Sequence, residues 1–578
     1  MNGLTRSSCM RARRRGAAPA LAAGLALVLS ATSLRGESLT YVLTPKFDAG
    51  VLDVEIDWQT EGRTHSVLGI PERVGPVQNV PGLLRNVLID GAKSRREGAL
   101  WTLEHRAGAS IHCRYQVAPP AKAFEQWNYT HLPITTATIF HGLGGAFLLT
   151  PQRASGMPAE YETVLRWQLP AGQTAVCSWG PGRTIGQRIR VEDLRTAVYL
   201  AGKLKTQRVE ADGRRITVAA AGDVGFSAEE FAELSNAIIG AQCDFMHERA
   251  FPEFVVTAIA AGPPLKPGES RLAGTGLHNS FAMWIAPGSK LNDAVEHLFA
   301  HELFHYWNGR MLPSAEPERL QYWFVEGLTD YYALRILRES GRWDVATYAK
   351  WINRHLRAYA LNPAQNATNE QIEREYWEQR DTVGEVAYQR GLLLGLRWHK
   401  LASDRKVPGG LDKLLLALVE RGRRGGFELT NAGVRQAGNE LLGSWFGPEF
   451  DRFVTRAETL DVPPDALAPE LTGRRRVVHA FELGFDRARS LKDKQVRGLV
   501  KGGVADRAGV REKDELVGWR IPPDADSEVV LQIRRGAETV TITYAPRGAE
   551  RVALEFVPAG GAAPDRAATD ADASGGRP

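Results

Sequence analysis

The stretch His301-Glu302-Leu303-Phe304-His305, followed later by Trp323-Phe324-Val325-Glu326-Gly327, is the most informative part of this chain. Residues four apart share one face of a helix, so a helix through the first stretch presents His301 and His305 to the same point, with Glu302 beside them. A catalytic zinc ion takes three protein ligands and keeps one position open for water. A second helix carrying Glu326 can supply the third ligand. The two stretches therefore predict a catalytic zinc site.

The surroundings of both stretches favour helices. Asp293-Ala294-Val295-Glu296 has the form of a capping box and Gly309 suits a helix end, which predicts a helix over 293–308. A second helix is predicted over 318–337. It places Glu326 among apolar and aromatic residues, where an unpaired carboxylate would be costly. A bound metal ion would account for that carboxylate.

Two further polar residues lie near the predicted ligands. Asp330 follows Glu326 by four residues and can accept a hydrogen bond from the outer ring nitrogen of a zinc-bound histidine, which would orient that ligand. The alternative is a solvated charge on the helix surface. His297 precedes His301 by one turn, but no glutamate follows it, so we interpret it as a packing or surface residue.

The run His301–Asn308, together with Trp323–Tyr332, resembles the glycyl aminopeptidase family of bacterial gluzincins. That resemblance implies a multidomain α+β protein: a β-sandwich-like N-terminal domain, a thermolysin-like catalytic domain with a sheet lobe and a helical lobe, and a C-terminal PDZ domain. It also implies one Zn²⁺ per chain, held by His301, His305 and Glu326. Cobalt or manganese in place of zinc stays open, because the order of metal affinities does not fix occupancy.

Tyr388-Gln389-Arg390-Gly391 resembles the Tyr-x-Lys-Gly element of gluzincin aminopeptidases. In that family the tyrosine hydroxyl helps to stabilise the oxyanion of the transition state, a role that the resemblance implies for Tyr388. Arg390 departs from the pattern, since it stands in place of the lysine. A tyrosine at the start of a core helix is the alternative.

A second departure precedes the zinc helix. Aminopeptidases of this kind have a glycine-rich turn with a glutamate, leading into an edge strand that binds the substrate backbone. Here Gly274–Ser280 contains no glutamate, and a strand is expected at Phe281–Ile285. Gly276, His278 and Asn279 are candidate substrate-binding residues, with a plain turn as the alternative. The missing carboxylate leaves an endopeptidase open.

The N-terminus predicts export. Residues 1–36 combine arginines with an apolar run from Ala17 to Leu29, as in a secretory signal peptide, and the destination is the periplasm or the medium. An uncleaved N-terminal anchor is the alternative. No later segment qualifies as a membrane span.

The charge balance excludes a nucleic-acid binder. Residues 1–36 hold six arginines and no acidic residue, so the formal charge of +5 falls to −1 for a chain that begins at Glu37. A basic surplus, the electrostatic footprint of nucleic-acid binding, is then absent. The three cysteines after the leader form no disulfide framework, although a bridge between Cys113 and Cys177 stays open.

The remaining pattern divides the chain. The signal peptide (1–36) precedes a β-rich domain (37–205), the zinc peptidase domain (206–460), a PDZ-like domain (478–557) and a disordered tail (558–578). Glu482-Leu483-Gly484-Phe485 resembles the carboxylate-binding loop of a PDZ domain. Such a domain captures peptide C-termini by adding a strand to its sheet. A degenerate PDZ domain that only packs on the catalytic domain is the alternative.

These observations predict an exported zinc metallopeptidase, with peptides as substrates and an aminopeptidase as the leading hypothesis. Glu302 would act as the general base and Tyr388 would donate to the oxyanion. One alternative is an endopeptidase of the same fold. The other is a non-catalytic periplasmic protein that binds peptides through its PDZ-like domain.

Overall fold

The computed structural model describes residues 37–120, 129–152, 160–260, 262–263, 265 and 271–559. The predicted signal peptide and residues 560–578 of the predicted tail lie outside these residues, whereas Pro558, predicted to belong to the tail, ends a strand. The described chain is a multidomain α+β protein built from several sheets and many helices. In that described part, helices long and apolar enough to cross a membrane are absent.

The N-terminal part consists mostly of strands that alternate between buried and exposed residues, as in a sheet with one face on a core. Its main sheets have the strand orders β16-β13-β1-β2-β9-β6, β10-β11-β17-β14-β15 and β12-β3-β8-β7. The elements are β1 Ser38–Lys46, β2 Val51–Gln59, β3 His65–Gly69, β4 Arg73–Val74, β5 Val77–Gln78, β6 Leu84–Asp90, β7 Lys93–Glu97, β8 Leu100–Glu104, β9 Ser110–Val117, β10 Ile134–Thr135, β11 Ile139–Leu143, β12 Thr150–Gln152, β13 Glu160–Trp167, β14 Thr174–Cys177, β15 Gly180–Pro181, β16 Thr184–Arg190, the short helix α1 Val191–Arg195 and β17 Val198–Gly202.

A further five-stranded sheet follows, with the strand order β18-β19-β20-β22-β21, in which β19, β20 and β22 are parallel neighbours. Strands β20 and β22 are apolar along almost their whole length because both faces of this sheet are covered. One face packs on helices and the other on the N-terminal sheets. Its elements are β18 Lys205–Ala211, β19 Arg214–Ala221, α2 Ala228–Phe245, β20 Phe254–Ala260, β21 Leu272–Leu277 and β22 Ser280–Ile285.

The helical part begins with the helix that carries the first histidine. Between the α-helices lie an irregular turn at Tyr306–Met311, a 3₁₀ turn at Glu318–Gln321 and wide π turns at Trp323–Leu328, Arg380–Gly384 and Asp451–Thr455. The α-helices are α3 Asp293–Phe304, α4 Thr329–Glu339, α5 Val345–Leu361, α6 Asn369–Glu375, α7 Glu385–Asp404, α8 Asp412–Arg423, α9 Asn431–Leu442 and α10 Phe446–Phe450.

The C-terminal part has its own small core and is joined to the helices by a long two-stranded ribbon, β23-β27, that packs on α5. Strands β24, β25 and β26 form a separate antiparallel sheet. The elements are β23 Leu471–Phe481, α11 Arg487–Asp493, α12 Val504–Arg507, β24 Glu515–Arg520, β25 Val529–Arg535, β26 Glu538–Tyr544 and β27 Arg547–Pro558.

The boundaries of the zinc helix differ from the prediction. Asn292, not Asp293, caps α3, because the Asn292 side chain accepts a hydrogen bond from the Val295 amide at 3.0 Å. Asp293 and Glu296 instead accept from the indole nitrogens of Trp351 and Trp343 at 3.0 and 2.6 Å. The regular helix ends at Phe304, four residues earlier than predicted.

The predicted edge strand was misplaced. Ser280–Ile285 does form a strand, but it lies inside the sheet, and the edge is β21, which contains the glycines that were predicted as a turn. The glycines reflect close packing in a strand rather than a bend. A Cβ on Gly274 would lie 2.6 Å from the Phe281 ring, and one on Gly276 would lie 2.7 Å from the Glu302 carbonyl oxygen.

Candidate active site

Three side chains from separate stretches converge at the end of α3. The Nε2 atoms of His301 and His305 lie 3.2 Å apart, and the Glu326 carboxylate lies 3.2 Å from the first and 3.4 Å from the second. Ligands on a tetrahedral zinc ion at about 2.05 Å would be about 3.4 Å from one another. The three atoms therefore already have the spacing of a zinc site, and two imidazoles with one carboxylate are the ligand types that a catalytic zinc ion takes.

A buried amide fixes the two helices relative to each other. The Asn308 side chain, fully buried, donates to the carbonyl oxygens of Phe324 and Val325 and to the Thr329 hydroxyl at 3.0 to 3.3 Å. The Asn308 carbonyl oxygen in turn accepts from His305 Nδ1 at 3.1 Å. One residue thus orients a candidate ligand and holds the segment that carries Glu326.

Glu326 lies in the wide π turn at Trp323–Leu328, the kind of helix irregularity often found at functional sites. Burial by itself would raise the pKa of its carboxyl, but His305 and His301 hold that pKa well below the usual range. The carboxylate is therefore an anion, as a metal ligand must be.

Asp330 connects two histidines behind the candidate ligands. It is fully buried and accepts hydrogen bonds from His301 Nδ1 at 2.7 Å and from His297 Nε2 at 3.0 Å. This contact directs His301 Nε2 towards the other ligands. His297 is buried, with its ring centroid 4.4 Å from that of Trp351, so it packs in the interior, supporting the same carboxylate.

Glu302 is held against the edge strand. Its carboxylate accepts a hydrogen bond from the Gly276 amide at 2.8 Å. Among the described strands, β21 has no partner on its outer edge, and it packs against α3, the helix that carries His301 and Glu302. A peptide added to that edge would place its backbone next to the candidate general base.

His278 and Asn279 lie in the turn between β21 and β22 and contact the N-terminal part. His278 Nδ1 lies 2.8 Å from the Asp193 carboxylate, and its amide donates to the Thr196 carbonyl at 2.9 Å. Arg310 donates to the Asn279 side chain at 3.0 Å. These contacts hold the turn in place, and a role in substrate binding stays a prediction for both residues.

Tyr388 borders the site from α7. Its ring is nearly parallel to that of His301, with centroids 6.2 Å apart, and its hydroxyl lies 3.2 Å from that of Tyr376. Burial, and then the charge of Glu326, raise the pKa of Tyr388 well above the usual value. The group is therefore a protonated donor.

Arg390 does not face the site. It is fully buried and donates to the carbonyl oxygens of Gln365 and Ala367 in the loop before α6, the first at 3.3 Å. Arg390, which stands in place of the lysine of the Tyr388 motif, thus packs α7 against this loop.

Two glycines that the sequence analysis left without a role bring α7 to the metal ligands. A Cβ on Gly327 would lie 2.5 Å from the Cα of Gly391, so the backbones of the Glu326 segment and of α7 touch. Gly327 directly follows Glu326, and Gly391 is the last residue of the Tyr388 motif. These positions were the signal from which the sequence could have predicted their role. Any larger residue would move Tyr388 away from the ligands.

This ligand set, with a glutamate next to the first histidine, defines a zinc metallopeptidase of the gluzincin type. Residues 294–391 match the M61 glycyl aminopeptidase family, which confirms the resemblance seen in the sequence. Zinc is the cofactor that this family match and this ligand set imply.

One solved structure supports the fold: an aminopeptidase N family protein from Idiomarina loihiensis is similar over 89% of this chain and 98% of its own, with a TM-score of 0.65 and 15% identity. A weaker similarity, with a TM-score of 0.46 and 15% identity, covers 74% of this chain and 94% of an M1 zinc metallopeptidase from Deinococcus radiodurans. The search of curated proteins gave no match.

Proposed function

We propose that this zinc peptidase is an exported aminopeptidase that removes residues from the free amino ends of peptides. The observation that supports hydrolysis most directly is the Glu302 carboxylate, which lies between the free edge of β21 and the three candidate ligands. A purely structural metal site has no use for a general base at that position.

The chemistry follows from these residues. Zinc, held by His301, His305 and Glu326, would supply a Lewis acid that lowers the pKa of a water molecule. Glu302 takes a proton from that water while the water oxygen attacks the scissile carbonyl carbon. The Tyr388 hydroxyl donates to the carbonyl oxygen as it becomes negative. Glu302 then gives the proton to the leaving nitrogen as the carbon–nitrogen bond breaks.

Glu318 is our candidate for the carboxylate missing from the glycine-rich segment. It begins the 3₁₀ turn that leads into the Glu326 segment. Partial removal from water, and then the charges of Glu326 and Glu316, raise the pKa of its carboxyl, whereas the charge of His305 lowers it. Because its turn leads directly into the segment that carries Glu326, Glu318 is the carboxylate that we propose to attract a positively charged amine.

The C-terminal part has a structural role in this proposal. In a PDZ domain a peptide adds to a strand that follows the carboxylate-binding loop. Here α11 begins directly after Glu482–Asp486, and residues 521–528, all of them described, form no helix that could wall a groove. Asn353 on α5 exchanges two hydrogen bonds with the Phe556 backbone, at 2.8 and 2.7 Å. These contacts favour a degenerate PDZ-like domain that packs on the catalytic domain, over capture of peptide C-termini.

The three described cysteines suit any compartment. Cys113, Cys177 and Cys243 are all buried and free, and the first two lie in different sheets. Export therefore rests on the leader sequence alone and is tested by determining the N-terminus of the protein isolated from its host.

The test of the function uses a peptide pool in which half of the peptides carry an N-terminal acetyl group. The protein and its Glu302→Gln variant are incubated with the pool, and the products are identified by mass spectrometry. We expect loss of single N-terminal residues from free peptides only, and no cleavage by the variant at unchanged zinc content. Internal cuts in acetylated peptides would make the protein an endopeptidase, and cleavage that does not depend on Glu302 would refute the mechanism.

Glu318 is tested separately with the Glu318→Gln variant. We expect KM for a free-amine peptide to rise about tenfold, as for loss of one charge-assisted hydrogen bond. Glu373→Gln, a nearby glutamate paired with Arg319, is the control. An unchanged KM would exclude Glu318 as the amine-binding group.

A further inference from the structure

A second tyrosine lies beside the one that borders the zinc site. The hydroxyl oxygens of Tyr376 and Tyr388 are 3.2 Å apart, and both side chains are buried. Tyr376 directly follows α6 and Tyr388 lies in the first turn of α7, so the contact joins two helices. Both tyrosines belong to a small apolar cluster with Ile372, Val383 and Val386. The two hydroxyl groups therefore meet at a place that is largely removed from water.

The proposed reaction gives this hydrogen bond a direction. A phenol has one proton to donate and two lone pairs that accept. Because Tyr388 donates its proton to the oxyanion in the proposed mechanism, its oxygen accepts from Tyr376. The donors then form a chain from Tyr376 through Tyr388 to the substrate, and each hydrogen bond in such a chain polarises the next. Tyr376 thereby strengthens the donor that contacts the substrate.

The guanidinium group of Arg380 lies over both tyrosine rings. Its central carbon is 4.8 Å from the ring centroid of Tyr376 and 5.2 Å from that of Tyr388, within the range of a cation–π contact. A guanidinium group is planar and packs on aromatic faces, so the contact restrains the planes of both rings. Its positive charge also stabilises the partial negative charge that the Tyr388 oxygen gains when its proton is shared with the oxyanion.

The position of Arg380 is itself fixed. The residue begins the wide turn Arg380–Gly384 ahead of α7, and its guanidinium donates to the Glu385 carboxylate at 2.5 Å. A Cβ on Gly384 would lie 3.1 Å from Arg380 Cδ and 3.2 Å from the Tyr376 carbonyl oxygen, so a glycine gives the arginine room to cross the turn. The side chain of Arg380 is 16% exposed, and its contacts with the rings are therefore little screened by water.

Arg380 meets the site through the ring of Tyr388. That ring is stacked on His301, with centroids 6.2 Å apart. On the other hand, Arg380 and Glu385 line a cavity of about 880 Å³ at the N-terminal end of α3. Glu302 and the three candidate metal ligands are not among the described residues that line this cavity. The arginine is thus placed to act on the tyrosines rather than on the metal ligands.

We infer that Arg380 is a positioning residue for the reaction: it holds Tyr376 and Tyr388 so that the Tyr376 hydroxyl donates to Tyr388 and the Tyr388 proton points at the substrate. In this arrangement Arg380 acts through Tyr388 and not by contact with the substrate. Both tyrosines remain protonated, so the inference adds no proton transfer to the mechanism. It rests on the proposed role of Tyr388 in peptide hydrolysis.

The experiment is a double-mutant cycle on a tripeptide with a free amino end. The kinetic constants kcat and KM are measured for the unmodified enzyme, for Arg380→Gln, for Tyr388→Phe and for the double variant. We expect Arg380→Gln to lower kcat by about tenfold, the size of a buried cation–π contact, with little change in KM. In the Tyr388→Phe background the same substitution should not lower kcat further, because residues that act through one another are not additive.

Tyr376→Phe is a second test that leaves the arginine and its ion pair in place. We expect kcat to fall by about fivefold, the effect of one neutral hydrogen bond, with no further loss in the Tyr388→Phe background. Arg374→Gln removes an arginine of α6 that pairs with Glu375, and this control should leave kcat unchanged. Zinc content and urea denaturation are measured for every variant. If Arg380→Gln does not fold, the cycle with Tyr376→Phe decides.

The outcomes separate the inference from the function. Losses that multiply when Arg380→Gln or Tyr376→Phe is combined with Tyr388→Phe would refute the inference while the peptidase stands, and so would an unchanged kcat in both single variants. An unchanged kcat in Tyr388→Phe would remove Tyr388 from the mechanism and the inference with it. Absence of cleavage that depends on Glu302 would instead count against the proposed function.

Discussion

The zinc site and the adjacent cavity are neighbours, yet they are built in opposite ways. The site takes its ligands from two short stretches, is largely buried, and fixes each side chain through a second residue, as Asp330 fixes His301. The cavity, of about 880 Å³ at the N-terminal end of α3, takes its lining from strand, loop and several helices. The contrast shows that the ligand geometry is encoded locally, whereas the cavity exists only in the folded chain.

The largest effect that separates the two regions is expected from Tyr388→Phe. Loss of a donor to the developing oxyanion lowers kcat by about 10²- to 10³-fold with little change in KM. The Tyr376→Phe variant, which removes the neighbouring hydroxyl, is the control and should have a much smaller effect. Steady-state kinetics on one tripeptide measures both, and a kcat within twofold of the unmodified enzyme would remove Tyr388 from the mechanism.

Asp330→Asn tests the support behind the ligands. Its charge holds both His301 and His297, so we expect zinc affinity to fall by about 10- to 100-fold. Competition with a metal chelator measures the affinity. Asp381→Asn removes a carboxylate of the cavity and should leave zinc affinity unchanged. An unaltered affinity in Asp330→Asn would mean that Asp330 serves packing only.

Gly276→Ala tests the junction of the two regions. The added Cβ would meet the Glu302 carbonyl oxygen at 2.7 Å, so strand and helix must separate. We expect kcat/KM to fall by about tenfold through misplacement of Glu302, with zinc content unchanged. The neighbouring Thr275→Ala is the control. If both variants behave alike, the contact of Gly276 with Glu302 has no part in catalysis.

The smallest effect is expected from Asn353→Ala, which removes the two hydrogen bonds between α5 and the Phe556 backbone. The free energy of unfolding should fall by about 1 kcal/mol in urea denaturation. Asn366→Ala, which loses a hydrogen bond to the Ala457 carbonyl oxygen, is the control for a side-chain amide elsewhere in the helical part. An unchanged free energy of unfolding in Asn353→Ala would mean that the two contacts with Phe556 do not stabilise the protein.

Sequence reasoning was strongest where the constraint is local. The predicted helix through His301 and His305 is present as α3, and the spacing of these two histidines follows from helix geometry. It was weaker where contacts are distant. Gly274 and Gly276 were taken for a turn because the residues that crowd them, Phe281 and Glu302, come later in the chain. Glu318 belongs to no motif, so only the folded chain relates it to the Glu326 segment.

The contacts of helix α5 imply an order in which the parts of the protein can form during synthesis. One side of the helix lines the cavity, while Asn353 is held by a strand that follows it by 203 residues. During synthesis the metal ligands can therefore meet well before the wall of the cavity is supported.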